Sequence, residues 1–496
     1  GKIDLIHTLI LGESIEVKTE GGADLDLREK AFKRDFTSYS EVDTSPLPEL
    51  RLSDEIFFGG DDLGGFLADH GDYRFGPFFN DDTTPLLFQE PEGIELIRTP
   101  NDTNNDFTGA VLRNYEATED ITAYYLMQTL TWRQWKLIYG FRYEETENTF
   151  TNNRINTRTE EGQFISPGIW RFLDQEAFSD EVRSTRKYDH FLPALHLQWN
   201  PGERLILRAS ATQTIARPRF DELVPREIIN IDGAQFGRSV QLPNLDLRPA
   251  ESTNYDLGVD FYLGRIDLVS LTFFYKEIDG VVFTESRILQ PGEGVVPGLV
   301  DKYVSSGLDV SPWRTSRKAN TGPGHVFGAE FSLEKQLGFL PSPFDGLGVN
   351  CNVSVADSEV ELLLAERFRE NVSLFKQSDL TGNLSLLYEK YGFFIRIGAQ
   401  YRSDYLLGVT AGRETIGDIT REDRLDLPAN SLDLNQDDFF RVDLTARYQL
   451  NRNLSFFYEG TNLNNEPRRR FLGNPTRMDS VQYTEPVHFA GVRWVW

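Results

Sequence analysis

The stretch that decides the fold is the last one, Val487-His-Phe-Ala-Gly-Val-Arg-Trp-Val-Trp496. Read with the two-residue period of a β-strand, His488, Ala490, Val492, Trp494 and Trp496 share one face, and Val487, Phe489, Gly491, Arg493 and Val495 share the other. The first face is nearly apolar and closes in an aromatic pair. That is the pattern required of the lipid-facing side of a transmembrane β-strand, whose outward row ends in interfacial aromatics. The same alternation also suits a half-buried strand ending a soluble domain, so the rest of the chain must decide.

Composition narrows the choice. Mean hydropathy is −0.41 and no run of 18 apolar residues occurs, which excludes helical membrane spans. A barrel escapes that test because half of its residues face the lumen. The 77 acidic residues against 51 basic ones give a net charge of −26, a poor match to nucleic acid, which needs clustered Lys and Arg. The single cysteine, Cys351, excludes an intramolecular disulfide framework and a thiolate metal cluster. Residue 1 is Gly and no apolar signal segment precedes it, so the start reads as processed or truncated.

Alternating segments recur along the chain, joined in turn by long and short connections. The short ones, at 131–135, 200–204, 264–265, 338–346, 389–392 and 450–453, are mostly rich in Gly, Pro and Asn. The long ones fall at 41–113, 152–184, 221–250, 279–324, 361–376, 404–438 and 466–485. Soluble domains rarely sort loops this way. Outer-membrane barrels do, with short periplasmic turns and long external loops.

The strands also meet the lipid test, in which an outward Arg or Lys at the midplane costs about 2–4 kcal/mol. In 393–402, Phe393, Ile395, Ile397, Ala399 and Tyr401 point outward while Arg396, Gln400 and Arg402 point inward. In 441–450, Val442, Leu444, Ala446, Tyr448 and Leu450 oppose Arg441, Asp443, Thr445, Arg447 and Gln449. Segments 204–214 and 135–144 divide the same way, with Arg208 and with Lys136, Arg142 and Glu144 inward. Cys351 falls on the apolar parity with Leu347, Val349, Val353 and Val355. The fold class is therefore all-β, a transmembrane antiparallel β-barrel, of which about 15 strands are present. With the long loops on one side, the first and last strands run in the same direction, so at least one strand is expected to precede residue 1.

Several strings now resemble the TonB-dependent outer-membrane receptors. Tyr115-Glu-Ala-Thr-Glu-Asp-Ile-Thr-Ala-Tyr-Tyr-Leu-Met and Leu137-Ile-Tyr-Gly-Phe-Arg-Tyr-Glu-Glu-Thr146 are similar to that family's paired mid-barrel strands. Ala209-Ser-Ala-Thr-Gln-Thr-Ile-Ala-Arg-Pro-Arg-Phe220 resembles its strand running into an Ala-Arg-Pro loop. Leu242-Pro-Asn-Leu-Asp-Leu-Arg-Pro-Ala-Glu-Ser-Thr-Asn-Tyr-Asp-Leu-Gly258 resembles a strand entry, and Glu459-Gly-Thr-Asn-Leu-Asn-Asn-Glu466 the penultimate strand. The resemblance implies a barrel of about 22 strands around an amino-terminal plug. Residues 1–496 would be its carboxy-terminal part, without the plug or the segment that engages TonB. Segment 23–35 would be an early strand, similar to the charged strand tops of a subgroup associated with carbohydrate uptake.

The implied function is uptake of a scarce nutrient (a carbohydrate, a siderophore or a cobalamin-like ligand) across the bacterial outer membrane with energy supplied through TonB. The implied partners are outer-membrane lipid and lipopolysaccharide, the TonB complex, the small-molecule nutrient and an outer-membrane lipoprotein. The alternatives are a passive porin or a structural barrel in a larger membrane assembly. No cofactor is expected, and no enzyme: there is no nucleophile elbow or phosphate-cradling loop, and among the six histidines His190 and His196 share parity about 20 Å apart.

Candidate binding residues fall in two sets. The strongly acidic external loop 41–113 carries Phe57, Phe58, Tyr73, Phe78 and Phe79, aromatics suited to stacking on sugar rings or to packing the loop on its neighbours. Lumen-facing Arg208, Arg396, Arg402, Arg441, Arg447 and Arg493 suit plug or barrel carboxylates, or ligand. Asp102, Asn104 and Asp106, and Asp433, Asn435 and Asp437, have the alternate spacing of calcium ligands without the glycine and distal glutamate of a complete loop, so solvated loop surface is the favoured reading and no metal site is expected. The negative charge disfavours a highly anionic cargo and points to a neutral carbohydrate or a cation.

Overall fold

A computed structural model describes residues 1–11, 15–33, 114–155, 179–224, 244, 246–264, 267–289, 313–364, 367–409 and 433–495. It adds short strands at 41–43, 95–97, 163–166, 169–171, 228–230, 238–242, 415–416 and 419–420. Apart from the two short ranges Glu41–Asp43 and Glu95–Ile97, the 41–113 loop, with its five aromatic candidates and the Asp102, Asn104 and Asp106 run, lies outside the described residues, as does Trp496. The chain divides into two compact units: 1–30, 116–151 and 183–496 form the first, and 31–115 with 152–182 the second. In the second unit the described rings of Phe32 and Tyr115 stack at 5.9 Å.

The first unit is built on one antiparallel sheet whose main path holds 15 strands in chain order. They are β1 (Lys2–Leu11), β2 (Ile15–Phe32), β3 (Tyr115–Trp132), β4 (Trp135–Ile155), β5 (Ser179–Trp199), β6 (Leu205–Ala216), β7 (Ala250–Tyr262) and β8 (Leu268–Asp279). Then follow β9 (Gly324–Gln336), β10 (Leu347–Leu364), β11 (Leu380–Lys390), β12 (Phe393–Arg402), β13 (Phe439–Gln449), β14 (Leu454–Thr461) and β15 (Val487–Trp494). Each strand pairs with its sequence neighbour, so the odd number makes β1 and β15 run the same way, as the alternation requires. Among the described residues β1 bonds only to β2, and β15 only to β14.

The register sorts the faces cleanly. One row across the sheet reads Leu205, Phe261, Val269, Leu333, Cys351, Leu384, Ala399, Val442, each residue directly opposite the next. One residue along, on the other face, the row reads Asp260, Ser270, Ser332, Asn352, Asn383, Gln400, Arg441. An unbroken apolar row beside one that is polar from Asp260 to Arg441, after Ile206 of β6, is what lipid on one side and a polar lumen on the other select. Cys351 sits between Leu333 and Leu384, a small hydrophobe on the outward face.

The short connections close as the sequence suggests. Tyr391 and Gly392 both take positive φ, 54° and 82°, the two-residue turn whose twist matches antiparallel strands. At 450–453 the Asn451 side-chain oxygen accepts from the backbone N–H groups of Asn453 and Leu454 at 2.9 and 3.0 Å.

The long side differs from expectation. Strands β4 and β5 each have 21 residues, about twice the 9–11 that cross a bilayer. They continue past the membrane, where water on both faces no longer enforces alternation, and so take in parts of 152–184. Described segments of other loops pair as well. Val282–Leu289, Trp313–Asn320, Arg238–Leu242 and Ile228–Asn230 form a four-stranded sheet, and Tyr405–Gly408, Leu434–Gln436, Arg468–Leu472 and Met478–Gln482 another. Phe283, Ala319, Val360, Leu362, Val372, Leu406 and Val409 make a buried apolar core among them.

Candidate functional site

The predicted inward arginines lie on the polar face. Arg208 pairs with Asp260, Arg396 donates to the Ser385 hydroxyl at 3.2 Å, and Arg441 bonds Asp443 at 3.1 Å. Arg402 and Arg447 instead lie against rings: Arg402 is 4.6 Å from the Tyr405 centroid and Arg447 is 5.7 Å from that of Phe394. Arg493 stands opposite Ser455. These six are spread over β6, β12, β13 and β15 and do not converge on one point.

Convergence occurs elsewhere on the same face, near the long-loop ends of β2 to β6. Arg217, in the Ala-Arg-Pro segment just after β6, reaches Glu144 of β4 at 2.5 Å, Thr146 at 3.2 Å and Glu119 of β3 at 3.8 Å. Glu119 also accepts from Arg28 of β2 at 3.1 Å. Glu144 accepts from Arg142 at 2.5 Å, and Arg142 lies 3.6 Å from Asp24. Glu119, Glu144, Thr146 and Asn148 are all buried. Three guanidinium groups face four carboxylates, Asp24, Asp26, Glu119 and Glu144, so the wall is ionic with a small acidic excess, and each ion keeps a partner that offsets its desolvation.

Beside this network the Asn148 amide donates to the Tyr188 hydroxyl at 3.4 Å, Arg186 lies over the Tyr188 ring and His190 meets that ring edge-on. Asn148 Oδ1, Arg186 Nη1, His190 Nδ1 and Arg217 Nε have no hydrogen-bond partner among the described residues. One acceptor, two guanidinium donors and an imidazole nitrogen are thus buried around an aromatic ring with unused hydrogen-bonding capacity, Arg217 Nε lying 3.8 Å from Glu119. Sequence reasoning had placed Arg142 and Glu144 inward and quoted Arg217 within a motif. It missed their meeting because parity gives a face and not a height.

His190 Nε2 lies 3.5 Å from Glu251, while His196 stands opposite Ser210, so the two histidines share no site. The calcium and solvated-surface readings of Asp433, Asn435 and Asp437 both fail. Asp433 is buried and held by both terminal nitrogens of Arg369 at 2.8 and 3.0 Å. Asp437 pairs with Arg469 at 2.9 Å, and the Asn435 amide donates to the Asp433 carbonyl at 2.9 Å. Guanidinium groups hold the carboxylates that a cation would need.

A sheet with one lipid face, one polar face and its connections sorted by length is a transmembrane β-barrel of the outer-membrane type. A model of the β-barrel of TonB dependent receptor-like proteins matches residues 18–463, and the chain belongs to that family of Gram-negative outer-membrane receptors. Solved structures agree in fold. The ferric-catecholate import receptor Fiu from E. coli K12 superposes with a TM-score of 0.53 at 14% identity over 99% of this chain and 53% of that one. The siderophore receptor PiuA from Acinetobacter baumannii gives 0.53 at 13% over 99% and 55%. The Serratia marcescens hemophore receptor HasR, solved as a double mutant with its hemophore and heme, gives 0.51 at 11% over 99% and 58%. The chain thus spans a little over half the length of these receptors. No curated protein matches its sequence.

Proposed function

We propose that this chain is the carboxy-terminal barrel portion of a receptor that imports a scarce nutrient with energy delivered through TonB, and that the wall around Arg217, Asn148 and Tyr188 contacts the cargo. The observation that carries this reading is the wall itself, a buried, charge-compensated polar cluster with unused hydrogen-bonding atoms on the polar face. Its three guanidinium groups against four carboxylates, within a chain of net charge −26, favour a neutral polyhydroxylated cargo such as a carbohydrate over an anionic ferric complex. A plug and the TonB-engaging segment would be supplied from outside this sequence, and the aromatic residues of 41–113 would close over the cargo from the external side. An outer-membrane lipoprotein is a candidate partner at the same side.

The test is uptake in cells lacking the gene and complemented with the complete protein, offering labelled oligosaccharides and ferric chelates in parallel. Uptake of an oligosaccharide that stops with a protonophore or on loss of TonB is the expected result. Uptake indifferent to both, with steady conductance of the purified protein in a planar bilayer, would make it a porin. Uptake of ferric chelates alone would keep the receptor and overturn the cargo.

A further inference from the structure

The connection between β9 and β10, residues 337–346, is much longer than its neighbours on the short-turn side, such as 133–134 and 391–392. It is also built rather than slack. Leu337 N–H donates to the Leu347 carbonyl at 2.8 Å, Leu340 to Leu337 at 2.9 Å and Phe344 to Pro341 at 2.9 Å, and 344–346 form one turn of 3-10 helix.

Its position follows from the side chains that hold it. Lys390, the last residue of β11, pairs across the sheet with outward-facing Phe393 and so shares the apolar face. Asp345 of the long turn reaches round to bind the Lys390 ammonium, and Ser342 bonds both Lys390, at 3.3 Å, and the Tyr391 hydroxyl, at 2.8 Å. The turn is therefore drawn onto the outer side of the sheet. The neighbouring turn repeats the device: Lys335, outward at the foot of β9, is bound by Asp267.

These pairs mark a polar rim directly below the apolar face. At that level the long turn displays Phe339, 75% exposed, and Phe344, 56% exposed, beside Tyr391 at 63%. Phe393, stacked on Tyr448 at 4.4 Å, continues the aromatic surface upward into Leu386 and Ile397, both exposed on the outward face. Exposed aromatic rings beside a lipid-facing surface, backed by ion pairs and a hydrogen-bonded turn, match the headgroup boundary of a bilayer.

We propose that residues 337–346 form a membrane foot: a preformed turn that lies along the periplasmic leaflet and inserts Phe339 and Phe344 among phospholipid acyl chains. Lys390 and Asp345 set its depth by staying at headgroup level. The occupant of this face is lipid, because Tyr391, bonded to Ser342 of the turn, and Phe393 join the turn to the lipid-facing surface beside the Lys390 and Asp345 pair.

The single cysteine makes the test direct. In a Cys351→Ala background, Phe339→Cys and Phe344→Cys are spin-labelled in the complete receptor, in vesicles of phosphatidylethanolamine and phosphatidylglycerol, with Gly202→Cys in another short turn as the aqueous reference. Gly202 has open space around it, and both phenylalanines are exposed, so none of the labels disrupts packing. The expected result is several-fold lower collision with a water-soluble nickel chelate, and higher collision with oxygen, at 339 and 344 than at 202. Equal nickel accessibility at all three sites overturns the foot and leaves the aromatic face to a periplasmic protein. A second readout needs no label: amides of 337–346 should exchange more slowly in vesicles than those of 200–204, and equal rates would count against insertion.

Discussion

The two ends of the sheet stabilise themselves by opposite means. On the long-loop side, strands outrun the membrane and loops fold into small sheets around a buried core containing Leu362 and Val360, with charges taken inside as matched pairs such as Arg369 and Asp433. On the short-turn side little is buried among the described residues. Asp267 with Lys335 and Asp345 with Lys390 are pairs between neighbouring turns and strand ends, and large aromatics stay exposed. The first end is organised like a soluble domain and the second like a membrane interface, so the same kind of substitution should have very different consequences at each.

The largest effect is expected from Arg369→Ala, which removes the two-pronged guanidinium bond to the buried Asp433 carboxylate at a cost of about 3–5 kcal/mol. The double change Arg369→Met with Asp433→Leu should recover most of that loss, since a well-packed apolar pair replaces the ions. Thermal unfolding of the three proteins in one detergent checks both, and a double variant no better than the single one would show that the pair itself holds the loops. Next, Leu362→Ala empties a fully buried site and should cost about 2–5 kcal/mol. Protease cleavage in 404–438 should accelerate while the short turns stay as resistant as before. If cleavage rises at both ends, the ends are one cooperative unit and the contrast breaks.

The membrane sheet was legible because lipid enforces a strict period: one polar side chain on the wrong face costs enough to be excluded, so Phe393 to Arg402 could be assigned a face residue by residue. Loops were legible as lengths only. Nothing periodic announces that Trp313–Asn320 pairs in parallel with Arg238–Leu242, because those contacts join segments far apart in sequence. Parity assigns the six arginines a face of the sheet, yet the cluster around Arg217 depends on relative heights fixed by register across several strands. Asp433 shows the limit most sharply. Its place in a polar loop run reads as solvated surface, and Arg369, which binds it, comes from a different loop.

The smallest expected effect is also the one that separates the ends by sign. Burial pushes the Asp437 and Glu466 carboxyls above the usual carboxylate range despite Arg469 nearby. A carboxyl raised in the folded state binds more protons folded than unfolded between its ordinary and raised values, so local stability falls as pH climbs through that window. Asp345 and Asp267 go the other way: the Lys390 and Lys335 ammonium groups hold them below the usual range. Their contribution is complete above the ordinary carboxylate value and is lost as pH falls through the lowered one. Amide exchange, corrected for its intrinsic pH dependence, should therefore show mild acidification from neutral tightening the segments around 433–438 and 466–472. Stronger acid should loosen 337–346. Asp437→Asn with Glu466→Gln should flatten the first response alone, and Lys390→Gln the second alone. A response of the same sign at both ends would mean that the external carboxylates are governed by Arg469 rather than by burial, and that this end too works as an exposed ionic clasp.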